Sequence, residues 1–186
     1  MKDKLTKQSI LLFEKKGFTE TSIQDIVDSI GVTKGTFYYY FSSKEELLMD
    51  INLGYIDDLL FRQEQILKKS MSCKEKLYEM VYLLISSIKN QGSAAKIFFR
   101  EMKNLSEDRL ECMITKRDQF RMNIEQLIKE GMKNGEFRAN LNAPIITFGV
   151  LGAANWSYQW FKPDGASSDR EVSEIFVDMI LEGIRI

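Results

Sequence analysis

The apolar positions of this chain recur every three or four residues, the spacing that places them on one side of an α-helix. Gly17 and Gly31 follow two of these stripes, where a residue that tolerates positive φ is needed to end a helix. The sequence shows neither the alternating pattern of a β-strand nor an internal repeat. It therefore predicts an all-α protein of about nine helices, near residues 4–16, 22–30, 33–41, 43–69, 72–92, 94–104, 106–134, 142–161 and 168–185.

Several helix starts carry their own signals. Ser43, Ser72 and Ser168 are each followed three residues later by a glutamate, the pattern of a capping box in which side chain and backbone bond reciprocally. Asn142 precedes Pro144, which suits the first turn of a helix because proline lacks an N–H there. The helix from Ser43 is long enough to leave one domain and enter another. We predict a first domain of residues 1–45 and a second of residues 46–186.

Residues 22–44 have the pattern of a helix-turn-helix, with two short helices separated by a glycine. In the second helix Phe37 and Phe41 lie four residues apart and share one buried face. A helix turns 100° per residue, so the tyrosines at positions 38, 39 and 40 cannot all face a core. Exposed phenols favour a surface that meets a partner such as DNA. A helical pair without DNA binding is the alternative, and the helix-turn-helix pattern alone does not separate the two.

Composition narrows the class of protein. The chain has 186 residues, of which 44% are hydrophobic; it has no long apolar run, and Met1-Lys2-Asp3-Lys4 lacks the apolar core expected of a signal peptide. We expect a cytoplasmic protein with no membrane association. Cys73 and Cys112 lie far apart, which predicts free thiols, and histidine is absent from the sequence. Histidine-dependent nucleophile pairs and histidine metal ligands are thereby excluded, which leaves an enzyme only acid, lysine or tyrosine chemistry. We expect neither a metal nor a cofactor.

The first 44 residues and the rest of the chain differ in net charge, but the difference is small. Residues 1–44 hold seven lysines and five acidic residues, a charge of +2, whereas the remaining 19 basic and 22 acidic residues give −3. Phosphate neutralisation supplies non-specific DNA affinity. We therefore expect modest, salt-sensitive DNA binding that becomes tight only in a dimer.

The chain resembles the TetR family of one-component transcriptional regulators. The resemblance rests on Gly17-Phe18, Thr21-Ser22-Ile23, Asp25-Ile26, the run from Gly31 to Phe41, and Ser43-Lys44-Glu45-Glu46-Leu47, all within the first 50 residues or so. It implies that Thr33 caps a recognition helix and that Tyr40 and Lys44 contact the DNA backbone. A basic residue is often seen where this chain has Gln24. The implied DNA-binding residues are Ser22, Gln24, Thr33, Lys34, Gly35, Thr36, Tyr38, Tyr39, Tyr40 and Lys44.

The resemblance also implies a homodimer that binds a double-stranded DNA operator and is released by a small-molecule effector. Gly149, Gly152, Ala153 and Ala154 form a smooth stripe that lets a second backbone approach closely, which agrees with a dimer through the last two helices. A largely apolar set of residues forms the candidate effector site, as is usual for apolar ligands. Its members are Tyr82, Phe98, Phe99, Met102, Phe120, Phe148, Asn155, Trp156, Tyr158 and Gln159.

The aromatic segment from Asn155 to Phe161, followed by Pro163 and a last helix, is similar to members that sense acyl-CoA esters of fatty acids or steroid fragments. A repressor released by such an acyl-CoA is our main hypothesis, with Arg100, Lys103, Arg117 and Arg121 as candidate partners for its phosphates. Two alternatives remain open. One is a multidrug-sensing repressor that binds amphipathic cations, and the other is a small helical enzyme that uses paired acids such as Asp57 and Asp58. The adjacent acids diverge by 100° on a helix, so they are poorly placed to share a substrate.

Overall fold

The computed structural model describes residues 1–184 of the chain, and the predicted all-α fold is confirmed over this range. No β-strand occurs between residues 1 and 184. A short 3₁₀ turn, Met102–Asn104, follows the fifth helix. The eight α-helices of the described chain are α1 (Lys2–Lys16), α2 (Ile23–Ser29), α3 (Lys34–Tyr40), α4 (Lys44–Lys68), α5 (Cys73–Glu101), α6 (Glu107–Lys133), α7 (Ala143–Trp160) and α8 (Asp169–Ile184).

The helix count differs from the prediction because of α5. Two helical segments were predicted around Gly92, and both are present. They join without a loop at Gln91, whose φ of −136° and ψ of 32° are non-helical, so that α5 is one kinked helix made of the two segments. A glycine commonly ends a helix by taking up positive φ, as Gly17 and Gly31 do with φ of 87° and 69°. Gly92 does not adopt positive φ, so the helix bends instead of stopping.

Side-chain caps begin the helices largely where the sequence predicts. Ser72 and Glu75 form a reciprocal capping box, and Asn142 accepts a hydrogen bond of 3.2 Å from the Ile145 N–H. Ser43 accepts from the Glu46 N–H at 3.0 Å, but the Glu46 carboxylate returns to the N–H and hydroxyl of Ser42 instead of Ser43. These local hydrogen bonds satisfy backbone N–H groups of the first turns that have no partner within the helix.

The chain divides into two compact units. The first contains Met1–Ile56 together with Ser93–Ile114, and the second contains Asp57–Gly92 together with the chain from Thr115 onward. The first unit thus extends past the predicted boundary at residue 45 and takes in a second stretch of the chain. A functional division into residues 1–45 and 46–186 stays a prediction.

The core of the first unit is built around α1 to α4. Leu5, Ile26, Phe37 and Leu47 are completely buried, and α2 packs against both α1 and α3. Burial of large apolar side chains such as these supplies most of the stability of a small helical unit, about 1.5–3 kcal/mol for each side chain. The short helices α2 and α3 hold their conformation through this core, since isolated helices of such length are unstable in water.

The second unit contains a tight contact at the end of α6. A Cβ at Gly131 would lie 2.2 Å from Cδ2 of Phe137, which is completely buried. The neighbouring Glu136 carboxylate accepts the backbone N–H groups of Cys73 and Lys74 at the start of α5, both at 3.1 Å. Gly131 therefore permits a close turn that brings Glu136 to the first turn of α5.

None of the helices within residues 1–184 is long and apolar enough to span a membrane.

Candidate functional site

The turn before α3 sets up the candidate DNA-reading helix. Gly31 takes positive φ, and Thr33 then becomes the N-cap of α3, with its hydroxyl 3.3 Å from the N–H of Thr36. The two threonine hydroxyl oxygens are themselves 3.3 Å apart. The predicted helix start at Thr33 is confirmed, and both hydroxyl groups lie at the beginning of the helix.

The face of α3 that packs inward is separate from the face that meets solvent. Phe37 and Phe41 are 0% and 2% exposed, as predicted, and their rings lie 5.8 Å apart. Tyr38 and Tyr39 are 54% and 81% exposed, which confirms that the tyrosines cannot all enter the core. Tyr40 is half-buried, and its ring packs edge to face with that of Tyr39 at 4.8 Å. Lys34 and Gly35 are exposed on the first turn.

In the preceding helix, Ser22 and Gln24 are both engaged by carboxylates. Ser22 forms a capping box with Asp25, whose pKa lies below its ordinary value because the carboxylate accepts the Ser22 N–H and hydroxyl. The Gln24 side-chain amide donates to the Asp28 carboxylate at 2.7 Å. Gln24 therefore presents an amide group whose orientation is set by a neighbour one helical turn away.

Lys44 lies at the start of α4 and points into the first unit. Its Nζ donates to the backbone carbonyls of Phe18, Thr21 and Thr19 at 2.7, 2.6 and 3.4 Å, and it lies 4.4 Å from the centre of the Phe18 ring. Burial lowers the pKa of this ammonium, and the charges of Glu20 and Asp25 oppose that change. The sequence suggested a phosphate contact here, whereas the structure places the ammonium on the loop between α1 and α2.

The charge available to DNA is smaller than the seven lysines suggest. Lys2 pairs with Asp50 at 2.6 Å, and Lys16 pairs with Asp25 at 3.5 Å. With Lys44 directed inward, four lysines of the first 44 residues remain exposed without such a pair, at positions 4, 7, 15 and 34. Few cationic side chains of the first 44 residues are therefore both exposed and unpaired.

The residues predicted to form the effector site fall into both units. Phe98, Phe99 and Met102 belong to the first unit, where Phe98 is 2% exposed and packs against the rings of Tyr55 and Phe99 at 5.1 and 5.4 Å. Met102 is also buried. Phe98 and Phe99 thus form an aromatic cluster with Tyr55.

The other seven candidates belong to the second unit, and they face in different directions. Phe120 is 5% exposed and its carbonyl accepts the side-chain amide of the buried Gln63. Tyr82 is half-buried, lies parallel to Tyr78 with ring centres 6.3 Å apart, and has the Arg170 guanidinium 5.6 Å from its ring centre. Asn155 and Tyr158 are half-buried, and Gln159 is exposed.

Two of the seven, Phe148 and Trp156, lie on the outer face of α7 with exposures of 58% and 63%. The Arg121 guanidinium lies 5.5 Å from the Phe148 ring centre and pairs with Glu125 at 3.0 Å. Both faces of α7 are apolar, so the sequence could not tell which one turns inward. The inner face of α7 consists of Ala143, Thr147, Val150, Ala154 and Ser157.

Some features of the surface were not predicted from the sequence. Asp28 lies beside Gln24, and its role depends on an i, i+4 spacing that the sequence does contain. The outer face of α8 adds Ile175 and Met179, exposed by 57% and 59%, to that of α7. Since α7 packs against α8, these two helices together expose an unusual number of large apolar side chains.

Comparison with known proteins identifies relatives of both halves of the chain. Residues 5–51 match the model for bacterial regulatory proteins of the tetR family, and residues 70–184 match a tetracyclin repressor-like C-terminal domain. The HTH-type transcriptional repressor KstR2 of Mycolicibacterium smegmatis is 28% identical over 185 residues, which cover 98% of this chain and 90% of that protein. These relatives are transcriptional regulators.

Two solved structures share the fold. The ketosteroid transcriptional regulator KstR2 of Mycobacterium tuberculosis superposes with a TM-score of 0.92 at 23% identity, covering 100% of this chain and 95% of that one. AibR, solved in complex with isovaleryl coenzyme A and operator DNA, superposes with a TM-score of 0.87 at 21% identity and covers 96% of each chain. At these identities the likeness is one of fold. Together with the family matches along its length, it shows that this chain belongs to the TetR family of ligand-responsive, DNA-binding transcriptional regulators.

Proposed function

We propose that the protein is a dimeric repressor that leaves its operator when a hydrophobic molecule, such as a fatty acyl-CoA, binds to it. The observation that carries the DNA-binding part is the division of α3 into a buried Phe37–Phe41 side and an exposed side with Tyr38 and Tyr39. A helix anchored in this way can enter a major groove without losing its core. Action in the cytoplasm follows from this role.

The proposed reading surface combines hydroxyl, amide, aromatic and cationic groups. Gly35 lets the start of α3 lie close to the duplex, and the methyl and hydroxyl of Thr36 suit base edges. Lys34 donates to guanine or to phosphate. The remaining members are Ser22, Gln24, Thr33, Tyr38, Tyr39 and Tyr40, with Lys44 as the one residue whose geometry favours a different role.

The proposed dimer joins the exposed faces of α7 and α8 from two copies. Six large apolar side chains lie there, and a Cβ added at Gly149 or Gly152 would meet nothing within 4 Å in the single chain. A matching face on a second copy would cover this surface and fill the space above the glycines. The side chains are Ile145, Phe148, Trp156, Trp160, Ile175 and Met179. Phe148 and Trp156 are thus better suited to the dimer than to an effector cavity.

An acyl-CoA effector is supported by chemistry and by a relative. The candidate effector residues are apolar or neutral, and AibR is a structural neighbour bound to isovaleryl coenzyme A. A multidrug sensor that binds cations would need acidic groups in its cavity, and none of the ten candidates is acidic. The acyl-CoA proposal is therefore preferred over the cation-binding alternative.

Two experiments test these roles. Mobility shifts on the promoter of the protein's own gene should show that Tyr39→Ala weakens binding at least tenfold, while Phe61→Ala, which removes another exposed aromatic outside the first unit, binds like the wild type. Wild-type binding by Tyr39→Ala would remove α3 from the reading surface.

Palmitoyl-CoA should raise the melting temperature of the protein and release it from the DNA, with free coenzyme A and palmitate as controls. No response to acyl-CoA esters of any chain length would exclude this effector class.

A further inference from the structure

We infer that Lys44 is a positioning residue that clasps the α1–α2 loop to the start of α4, and that it does not neutralise a DNA phosphate. The inference rests on the DNA-binding role of the first unit. It assigns to Lys44 a part different from the backbone contact that the family resemblance implies. The argument depends on where the three ammonium protons go.

An ammonium group has three donors and no acceptor. In Lys44 all three directions are met by backbone carbonyls, those of Phe18, Thr19 and Thr21. Two of these bonds, at 2.7 and 2.6 Å, have the short length of charge-assisted hydrogen bonds. A phosphate could bind this ammonium only by displacing these carbonyls, of which that of Phe18 also accepts the Thr21 N–H at 3.3 Å. The geometry is that of a structural cation.

The ring of Phe18 also contacts the Lys44 ammonium. The Nζ atom lies 4.4 Å from its centre, within the range of a cation–π interaction, and Phe18 is 8% exposed. Phe18 in turn packs edge to face against Phe13 of α1 at 5.3 Å. Lys44 thereby connects the end of α1 to the beginning of α4 through an aromatic pair and three carbonyls.

The loop that Lys44 holds is the one that leads into the reading head. Thr21 is completely buried, and its hydroxyl donates to the Gly17 carbonyl at 2.8 Å, while Ser22 caps α2. Because α2 packs against α3, the position of this loop determines where both helices lie relative to α4. Loss of the clasp would loosen the whole head, which reduces affinity for every DNA sequence and at every salt concentration.

A phosphate contact and a clasp predict different salt dependences. Each phosphate contact adds about 0.9 to the slope of log K against log salt concentration for duplex DNA. Under the clasp, Lys44→Met leaves this slope unchanged and shifts the whole line to weaker binding by at least fivefold. Lys34→Met is the matched control, since Lys34 is exposed on α3, and it should reduce the slope by about 0.9 per protomer without changing the melting temperature.

Lys44→Arg provides a second, opposite test. Arginine keeps the charge and binds phosphate at least as well as lysine, but its planar guanidinium cannot point three donors at carbonyls arranged around one atom. The clasp therefore predicts that Lys44→Arg is defective, with a lowered melting temperature, whereas a phosphate contact predicts rescue. Hydrogen exchange of the amides at residues 17–22 should accelerate in both Lys44 variants.

The outcomes separate this inference from the proposed function. Restored DNA affinity in Lys44→Arg, or a reduced salt slope with unchanged exchange in Lys44→Met, would overturn the clasp. An unfolded Lys44→Met protein would support it, because loss of a solvent-facing phosphate contact leaves folding intact. If the wild type bound no specific DNA, the proposed function would fail, and the melting and exchange measurements would still decide whether Lys44 holds the loop.

Discussion

Glu14, near the end of α1, lies with a carboxylate oxygen 2.6 Å from the Nζ of Lys96 in the second part of α5. Its other oxygen accepts the hydroxyl of Ser93. These two hydrogen bonds are the main reason that the pKa of Glu14 is below its ordinary value. The pair ties α1 to a stretch of chain almost 80 residues away, within the first compact unit.

We expect Glu14→Gln to lower the free energy of unfolding at pH 7 by about 0.5–1 kcal/mol, a modest amount because Lys96 remains partly in solvent. A depressed folded-state pKa stabilises the fold above the unfolded-state pKa, and this stabilisation disappears as the pH falls through the folded-state value. Urea unfolding of both proteins between pH 7 and pH 3 should show the two curves converging. A difference that persists unchanged at pH 3 would mean that the carboxylate charge is not the source.

The hydrogen bond between Gln24 and Asp28 leads to a prediction about sequence preference. A carboxylate only accepts, so it turns the Gln24 NH₂ group toward itself and leaves the amide oxygen and one N–H directed outward. That arrangement matches the bidentate recognition of adenine. If Gln24 contacts a base in this way, Asp28→Ala should broaden the base preference at that position and raise overall affinity, because it removes a negative charge from the proposed DNA-binding surface.

Binding to a set of operators with single base-pair changes measures this effect. Asp28→Asn, which keeps the size and loses the charge, separates the two contributions, since its amide oxygen still accepts from Gln24. An unchanged preference at every position in Asp28→Ala would show that Asp28 does not orient a reading group.

Replacing either of two buried side-chain amides on α4 should change the free energy of unfolding, but in opposite directions. Asn52 and Gln63 are both completely buried, but the amide N and O of Asn52 have no hydrogen-bond partner in the described structure, whereas Gln63 donates to the Phe120 carbonyl at 2.9 Å and accepts from Asn123 at 2.7 Å. An unsatisfied buried polar group costs about 1–3 kcal/mol. We therefore expect Asn52→Leu to raise the free energy of unfolding by about 1–2 kcal/mol.

Gln63→Leu is the matched control and should destabilise the protein by about 1–3 kcal/mol, because it removes both hydrogen bonds of this buried amide and leaves the Asn123 NH₂ group without its acceptor. Chemical denaturation followed by far-ultraviolet circular dichroism measures both changes. If Asn52→Leu proved as destabilising as Gln63→Leu, the Asn52 amide would have to form hydrogen bonds, and this explanation would be wrong.

The features that sequence predicts here are those whose causes lie within a few residues. The helix start at Thr33, the reciprocal box at Ser72 and the buried spacing of Phe37 and Phe41 each depend on local hydrogen bonds or on helical periodicity. Gly31 also fulfils its local role, since its φ is positive.

Features that depend on distant parts of the chain could not be predicted in this way. The inward turn of Lys44 requires carbonyls more than 20 residues earlier in the chain, and the bend at Gln91 accompanies a hydrogen bond of 3.0 Å from its amide to Asp58 of α4. Phe148 points outward because the opposite side of α7 packs into the second unit. A helix that is apolar all round contains no periodic signal to decide this.

The glycines on the outer face of α7 allow the dimer to be tested without disturbing the single chain. A side chain at Gly152 would project into open space, and leucine favours a helix over glycine by nearly 1 kcal/mol, so Gly152→Leu should leave the monomer fold intact or stabilise it. If two copies pack closely at this point, the added side chain would separate their backbones. We then expect the dimer dissociation constant to rise at least tenfold by sedimentation velocity, with a parallel loss of operator affinity. Gly54→Leu is the control, because Gly54 is an equally open glycine on α4 in the first unit. A Gly152→Leu protein that remains as dimeric as Gly54→Leu would place the interface elsewhere.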